Sequence, residues 1–133
     1  LGITGPAPAD WVGTAPLSAP ESRAMYGFTL SLSPRVVLAY HTQGMVIYSG
    51  FNGIEPPGSA ALASRLSAVS GYASESAPYA SGFAGYKDWF VQDLNRPGYT
   101  VEAGRGVNPL PLSQFDKIYA DNLGILTLAS LPQ

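Results

Sequence analysis

The stretch Gly98-Tyr-Thr-Val-Glu102-Ala-Gly104-Arg-Gly106 constrains the fold more than any other in the chain. Alternating Tyr99, Thr100 and Val101 suit a pleated strand, and the glycines that follow stop it at once. The strand therefore delivers Glu102 to its own carboxyl end. A second run, Arg35-Val-Val-Leu-Ala-Tyr40, is nearly continuous in apolar residues and stops at His41, the single histidine of the chain. In open α/β sheets ligands bind beyond the carboxyl ends of strands. The two strands are expected to bring His41 and Glu102 to one rim of one sheet, within reach of a common water.

The segments between these runs read as helices and turns. Ser18-Ala-Pro-Glu21 has the spacing of a capping box, opening a helix to about Leu32 that Ser33-Pro34 ends. Thr42-Gln-Gly44 is a turn before a second strand, Met45 to Ser49. Ser59 to Val69 is a helix with Leu62, Leu66 and Val69 inward, and Gly71 ends it. Tyr72 to Gly82 reads as loop. Phe83 to Leu94 is a third helix with Trp89, Phe90 and Tyr86 inward. Ser113 is placed to cap a last helix whose apolar stripe is Phe115, Ile118, Tyr119, Leu123 and Leu126. Helices alternating with apolar strands give an α/β fold with a mixed, mostly parallel sheet flanked by helices. Residues 1–17 read as loop, and 133 residues suffice for one domain.

Charge narrows the functional classes. A net charge of −2 offers no electrostatic footing for nucleic acid or an anionic membrane. No apolar run approaches the roughly 20 residues of a membrane helix. Charged residues are only 12% of the chain, against about 25% in an average domain, so part of the surface is expected to be covered by another body. Cysteine is absent, which removes thiolate metal sites and leaves the compartment open. There is no G-x-S-x-G elbow and no phosphate-loop pattern. From the residues alone, His41 and Glu102 fit structural roles as well as catalytic ones. A catalytic zinc takes three protein ligands, and this chain offers one histidine and carboxylates.

Motif wording adds a resemblance. Val37-Leu-Ala-Tyr-His-Thr-Gln-Gly-Met-Val-Ile-Tyr48, then Gly85-Tyr-Lys-Asp-Trp-Phe90, then Gly98-Tyr-Thr-Val-Glu102 resemble successive segments of the M14 family of zinc carboxypeptidases. Tyr-His-Thr-Gln-Gly and Gly-Arg-Gly-Val-Asn-Pro-Leu-Pro are most similar to the bacterial branch that cuts γ-D-glutamyl–diamino acid bonds in peptidoglycan peptides. The resemblance spans Gly5 to Leu126. It implies zinc as cofactor, with His41 as one of its ligands, and a peptidoglycan-derived peptide as substrate. Glu102 would be the general base that passes a proton from water to the leaving amine. Tyr79, with a one-residue shift, would match a mobile tyrosine that closes on substrate. Lys87 would lie at the base of the specificity pocket, where its charge could meet a substrate carboxylate. The alternative for Lys87 is an exposed lysine near a helix start.

The family's His-x-x-Glu pair, its Asn-Arg and its other carboxylate-binding arginine would lie upstream of this stretch, and Met45 stands where the bacterial branch would have glutamate. The chain accordingly reads as the C-terminal half of a catalytic domain. By itself it would be inactive and a poor zinc binder. The missing half or another copy of the chain would cover an edge or apolar face at the Tyr99–Val101 strand or a neighbour. A secreted or cell-envelope location is favoured over the cytoplasm. The rival reading is a binding or scaffold module that kept the fold without the metal.

Overall fold

The computed structural model describes residue 3 and residues 5–9, 11–78 and 85–131. It divides into two compact units, Leu1–Pro34 and Arg35–Gln133. In the first, helix α1 (Pro20–Leu32) starts one residue later than the capping box requires. Ala19 is the N-cap, and no side chain caps the helix. The shift moves Glu21 to the second helical position, too early to reach back. Instead the Arg23 guanidinium donates to the carbonyls of Leu17 and Ser18, at 3.0 and 2.9 Å. At the other end the helix stops before Ser33-Pro34, as expected, with Ser33 in the left-handed region.

The second unit holds the sheet: β1 (Val37–His41), β2 (Val46–Ser49), β3 (Ala73–Ser76) and β4 (Gly98–Glu102), in the order β1-β4-β2-β3. β1 runs parallel to β4, β2 is antiparallel to β4, and β3 is parallel to β2. The sheet is mixed, as expected, and two of these three pairings are parallel. β4 is paired on both sides, so of the two places expected for an edge, the Tyr99–Val101 strand or a neighbour, it is the neighbour β1 that lies at the edge. Among the described residues the edges are β1 and β3.

β3 falls where the sequence reads as loop. Ala73-Ser-Glu-Ser76 is exposed throughout and has weak strand propensity, so its extension comes from pairing with β2.

Alternation along β4 sorts the sheet into two faces. Tyr99, Val101 and Ala103 join Ile47, Leu62, Leu66, Tyr72 and Ile125 in the main core, under α2 (Ser59–Ser70) and α4 (Phe115–Ser130). The Tyr99 hydroxyl is fully buried and donates to the Ser59 carbonyl at 2.8 Å, tying β4 to the first turn of α2. Gly98, Thr100 and Glu102 point the other way. α3 (Tyr86–Leu94) lies on that face: a Cβ at Gly98 would stand 3.1 Å from both Lys87 Cγ and Val91 Cγ2. Phe90 is buried as expected, and Trp89 and Tyr86 are half-buried; Val91 is buried as well.

Three helix expectations are corrected. Val69 is 49% exposed, because α2 buries Leu62, Ala63 and Leu66 instead. Ser113 caps nothing, since it sits inside a short 3-10 turn (Leu112–Gln114), and the N-cap of α4 is Gln114. The α4 stripe is largely reversed: Phe115, Tyr119, Leu123 and Leu126 are exposed, and Asn122 and Ile125 are buried. α4 carries apolar residues on more than one face, so periodicity could not choose between them. Where α4 meets α2, Gly124 admits Val69 to about 3 Å of its missing Cβ.

Candidate functional site

His41 and Glu102 are each the last residue of their strand. β1 and β4 are adjacent and parallel, and the register pairs the two residues directly. Aligned residues of neighbouring strands project to the same face, with backbones about 4.8 Å apart. His41 is exposed and Glu102 half-buried. Among the described residues, neither side chain is drawn into a hydrogen bond or ion pair, so both are available to a ligand.

Backbone bonds fix this rim. The Ala103 amide donates to the His41 carbonyl at 2.9 Å, and the Met45 amide to the Glu102 carbonyl at 2.7 Å. The Gly44 amide donates to the Gly104 carbonyl at 2.9 Å. Past the strands, Asn108 Nδ2 donates to the Thr42 carbonyl at 2.9 Å, and Thr42 Oγ1 donates to Asn108 Oδ1 at 2.8 Å. The Gln114 amide brackets Arg105, accepting from its N–H at 3.1 Å and donating to its carbonyl at 2.7 Å. The loop after Glu102 is thus tied both to the turn after His41 and to the start of α4. Gly104 has no substitute here: its φ is +74°, and a Cβ would meet Leu110 Cδ1 at 2.5 Å.

Lys87 lies elsewhere. It is 4% exposed, so the reading of it as an exposed lysine fails. Its ammonium donates to the Gly50 carbonyl at 2.7 Å and forms an ion pair with buried Asp88. Gly50 follows β2 and Gly98 opens β4, so Lys87 packs at the amino end of β4. Glu102 is at the other end, about 13 Å along the strand. Tyr79 lies outside the described residues.

Between these ends the same face carries a row that the sequence did not reveal. Ala39 pairs with Thr100, Thr100 with Tyr48, and Tyr48 with Glu75, across all four strands. The neighbouring row is His41, Glu102, Val46 and Ala73. Ala39, Thr100 and Tyr48 are half-buried and Glu75 is exposed. No local signal marks Glu75, because its place depends on the pairing of β3.

Two phenols behave as structural groups. Burial, with a smaller contribution from the Glu55 charge, pushes Tyr99 up to about 12, against a partial offset from its Ser59 hydrogen bond. Partial burial and then Tyr72 push Tyr40, which is still 41% exposed, up to about 12. Both stay protonated at neutral pH.

His41 is the right type of ligand for zinc, and Glu102 stands beside it. Among the described residues no group of three or more His, Cys, Asp or Glu is assembled for a metal. These residues alone therefore do not complete a three-ligand site.

The fold and site define a mixed α/β sheet with a histidine and a carboxylate in register at one rim. No family model matches the chain. It is 54% identical over 120 residues to Gamma-D-glutamyl-L-diamino acid endopeptidase 1 of Lysinibacillus sphaericus, covering 90% of this chain and 30% of that protein. It is 43% identical over 123 residues to the uncharacterized protein YqgT of Bacillus subtilis (strain 168), covering 92% of this chain and 33% of that one. The chain is thus a relative of a gamma-D-glutamyl–diamino acid peptidase, and spans about a third of the length of both relatives. That peptidase is named an endopeptidase; the name mentions neither a carboxypeptidase nor zinc.

Proposed function

We propose that this chain forms part of a peptidase site that hydrolyses the amide bond between a γ-D-glutamyl group and a diamino acid in cell-wall peptides. The observation that carries the reading is the direct pairing of His41 with Glu102 at the carboxyl rim of β1 and β4. The 54% identity to a protein named for that bond supports it.

In this reading the protein is a zinc peptidase of the M14 type. His41 is one metal ligand, and the other ligands come from outside the described residues. The zinc, when bound, polarises the scissile carbonyl and makes water more acidic. Glu102 takes a proton from the attacking water on its carboxylate and gives it to the departing amine. A carboxylate suits this because it is ionised at neutral pH and can carry a proton between two nearby atoms. The half-buried position of Glu102 limits competing water, while His41 stays accessible. The bonds from Gly44, Met45 and Ala103 hold the backbone of both strand ends in place.

The test is release of free diamino acid from a γ-D-glutamyl–L-diamino acid peptide by the full-length protein as encoded. Glu102→Gln keeps the shape and removes the base. It is expected to lower kcat by about 10²–10⁴-fold with little change in KM or in folding. Unchanged turnover in that variant would remove Glu102 from the chemistry. No hydrolysis by the parent protein would leave the non-catalytic binding module in its place.

A further inference from the structure

We infer that Glu75 is a specificity residue that receives the ω-ammonium group of the diamino acid on the leaving side of the scissile bond. The inference rests on the reading of the site proposed above.

Its basis is the register of the sheet. Glu75 lies in the row Ala39–Thr100–Tyr48–Glu75, next to the row that contains His41 and Glu102 and on the same face. It stands two strands across from β4 and one pleat repeat below Glu102. At ~4.8 Å per strand and ~3.3 Å per residue, the two Cα atoms are about 12 Å apart. A side chain with three or four methylenes spans about 6 Å between its α and ω centres. Together with the reach of the two carboxylates, that length bridges the gap. A substrate held at Glu102 by its scissile amide can therefore place an ω-amino group beside Glu75.

The floor between the two carboxylates suits an alkyl chain. Thr100 is small and Tyr48 adds an aromatic surface; both are half-buried. α3 covers the next part of this face, around Gly98, and closes it toward the amino end of β4.

Charge decides which end group fits. The Lys87 ammonium is buried and engaged by Asp88 and the Gly50 carbonyl. Glu75 is exposed, and among the described residues its carboxylate has neither an ion pair nor a hydrogen bond. This face thus offers an unpartnered negative charge to the far end of the side chain, which selects a cation over a neutral or acidic group.

The experiment compares two substrates, γ-D-glutamyl-L-lysine and γ-D-glutamyl-L-norleucine, which differ at the ω-ammonium. The full-length protein as encoded is assayed with and without Glu75→Gln, with melting curves to confirm folding. Wild type is expected to favour the lysine substrate in kcat/KM by about fivefold, the size an exposed charge pair supplies. In the Glu75→Gln variant that ratio is expected to fall close to one, carried by KM. Glu75→Lys is expected to turn the preference toward γ-D-glutamyl-L-2-aminoadipate. A preference that survives Glu75→Gln overturns the inference, as does equal cleavage of both substrates by wild type; the peptidase reading stands in either case. Cleavage of neither substrate by wild type overturns both.

Discussion

Replacing Lys87 with methionine distinguishes a structural lysine from a substrate anchor. The side chain keeps its length and loses its charge. Asp88, 7% exposed, is left as a buried carboxylate without its cation, and the Gly50 carbonyl loses its 2.7 Å donor. Breaking a buried pair from one side costs about 3–5 kcal/mol. With a urea dependence of about 2 kcal/mol per M for a domain of this size, the midpoint should fall by about 2 M. The double variant Lys87→Met, Asp88→Leu removes both charges together. Its remaining deficit is the unsatisfied carbonyl, about 1–3 kcal/mol. The double variant should therefore be more stable than Lys87→Met alone, which no additive scheme with two destabilising changes allows. Urea unfolding followed by the fluorescence of neighbouring Trp89 reads all three proteins. A midpoint shift below about 0.5 M for Lys87→Met would refute the buried pair and return Lys87 to the candidates for binding substrate.

Two further outcomes follow from the geometry. Gly104→Ala should lose about 2–5 kcal/mol, from a left-handed backbone at about 1–2 and crowding against Leu110 and Ile118 at about 1–3; a variant as stable as the parent in urea would contradict the packing of this loop. Stability should fall as pH rises from about 10 to about 12, because native Tyr99 and Tyr40 hold protons that the unfolded chain has released; this stabilisation is fully present below pH 10, and a flat profile in urea melts across that window would refute it.

Much of the architecture was legible because its signals are local. Helix ends at Ser33 and Gly71 follow from local signals, proline after Ser33 and glycine at 71; Gly71 adopts the left-handed geometry its residue type favours, and Ser33 is left-handed too. The capping box failed because capping depends on a one-residue register that Pro20 and Arg23 settle differently. The candidate pair was legible in part: both residues visibly end strands, but whether those strands are neighbours is a matter of pairing.

By itself, then, the sequence determined which segments are helical, which two strands carry ionisable ends, and that His41 and Glu102 are the residues to weigh. Periodicity and turn chemistry act over a few residues, so they can be read from a few residues. Tertiary structure alone decided that β1 lies directly beside β4 in parallel, that Ala73–Ser76 becomes a strand and brings Glu75 to the face, that Lys87 is buried against Asp88, and which side of α4 meets the core. Each of these depends on partners tens of residues away. The free energy of such contacts comes from burial and backbone pairing that exist only once the chain has closed.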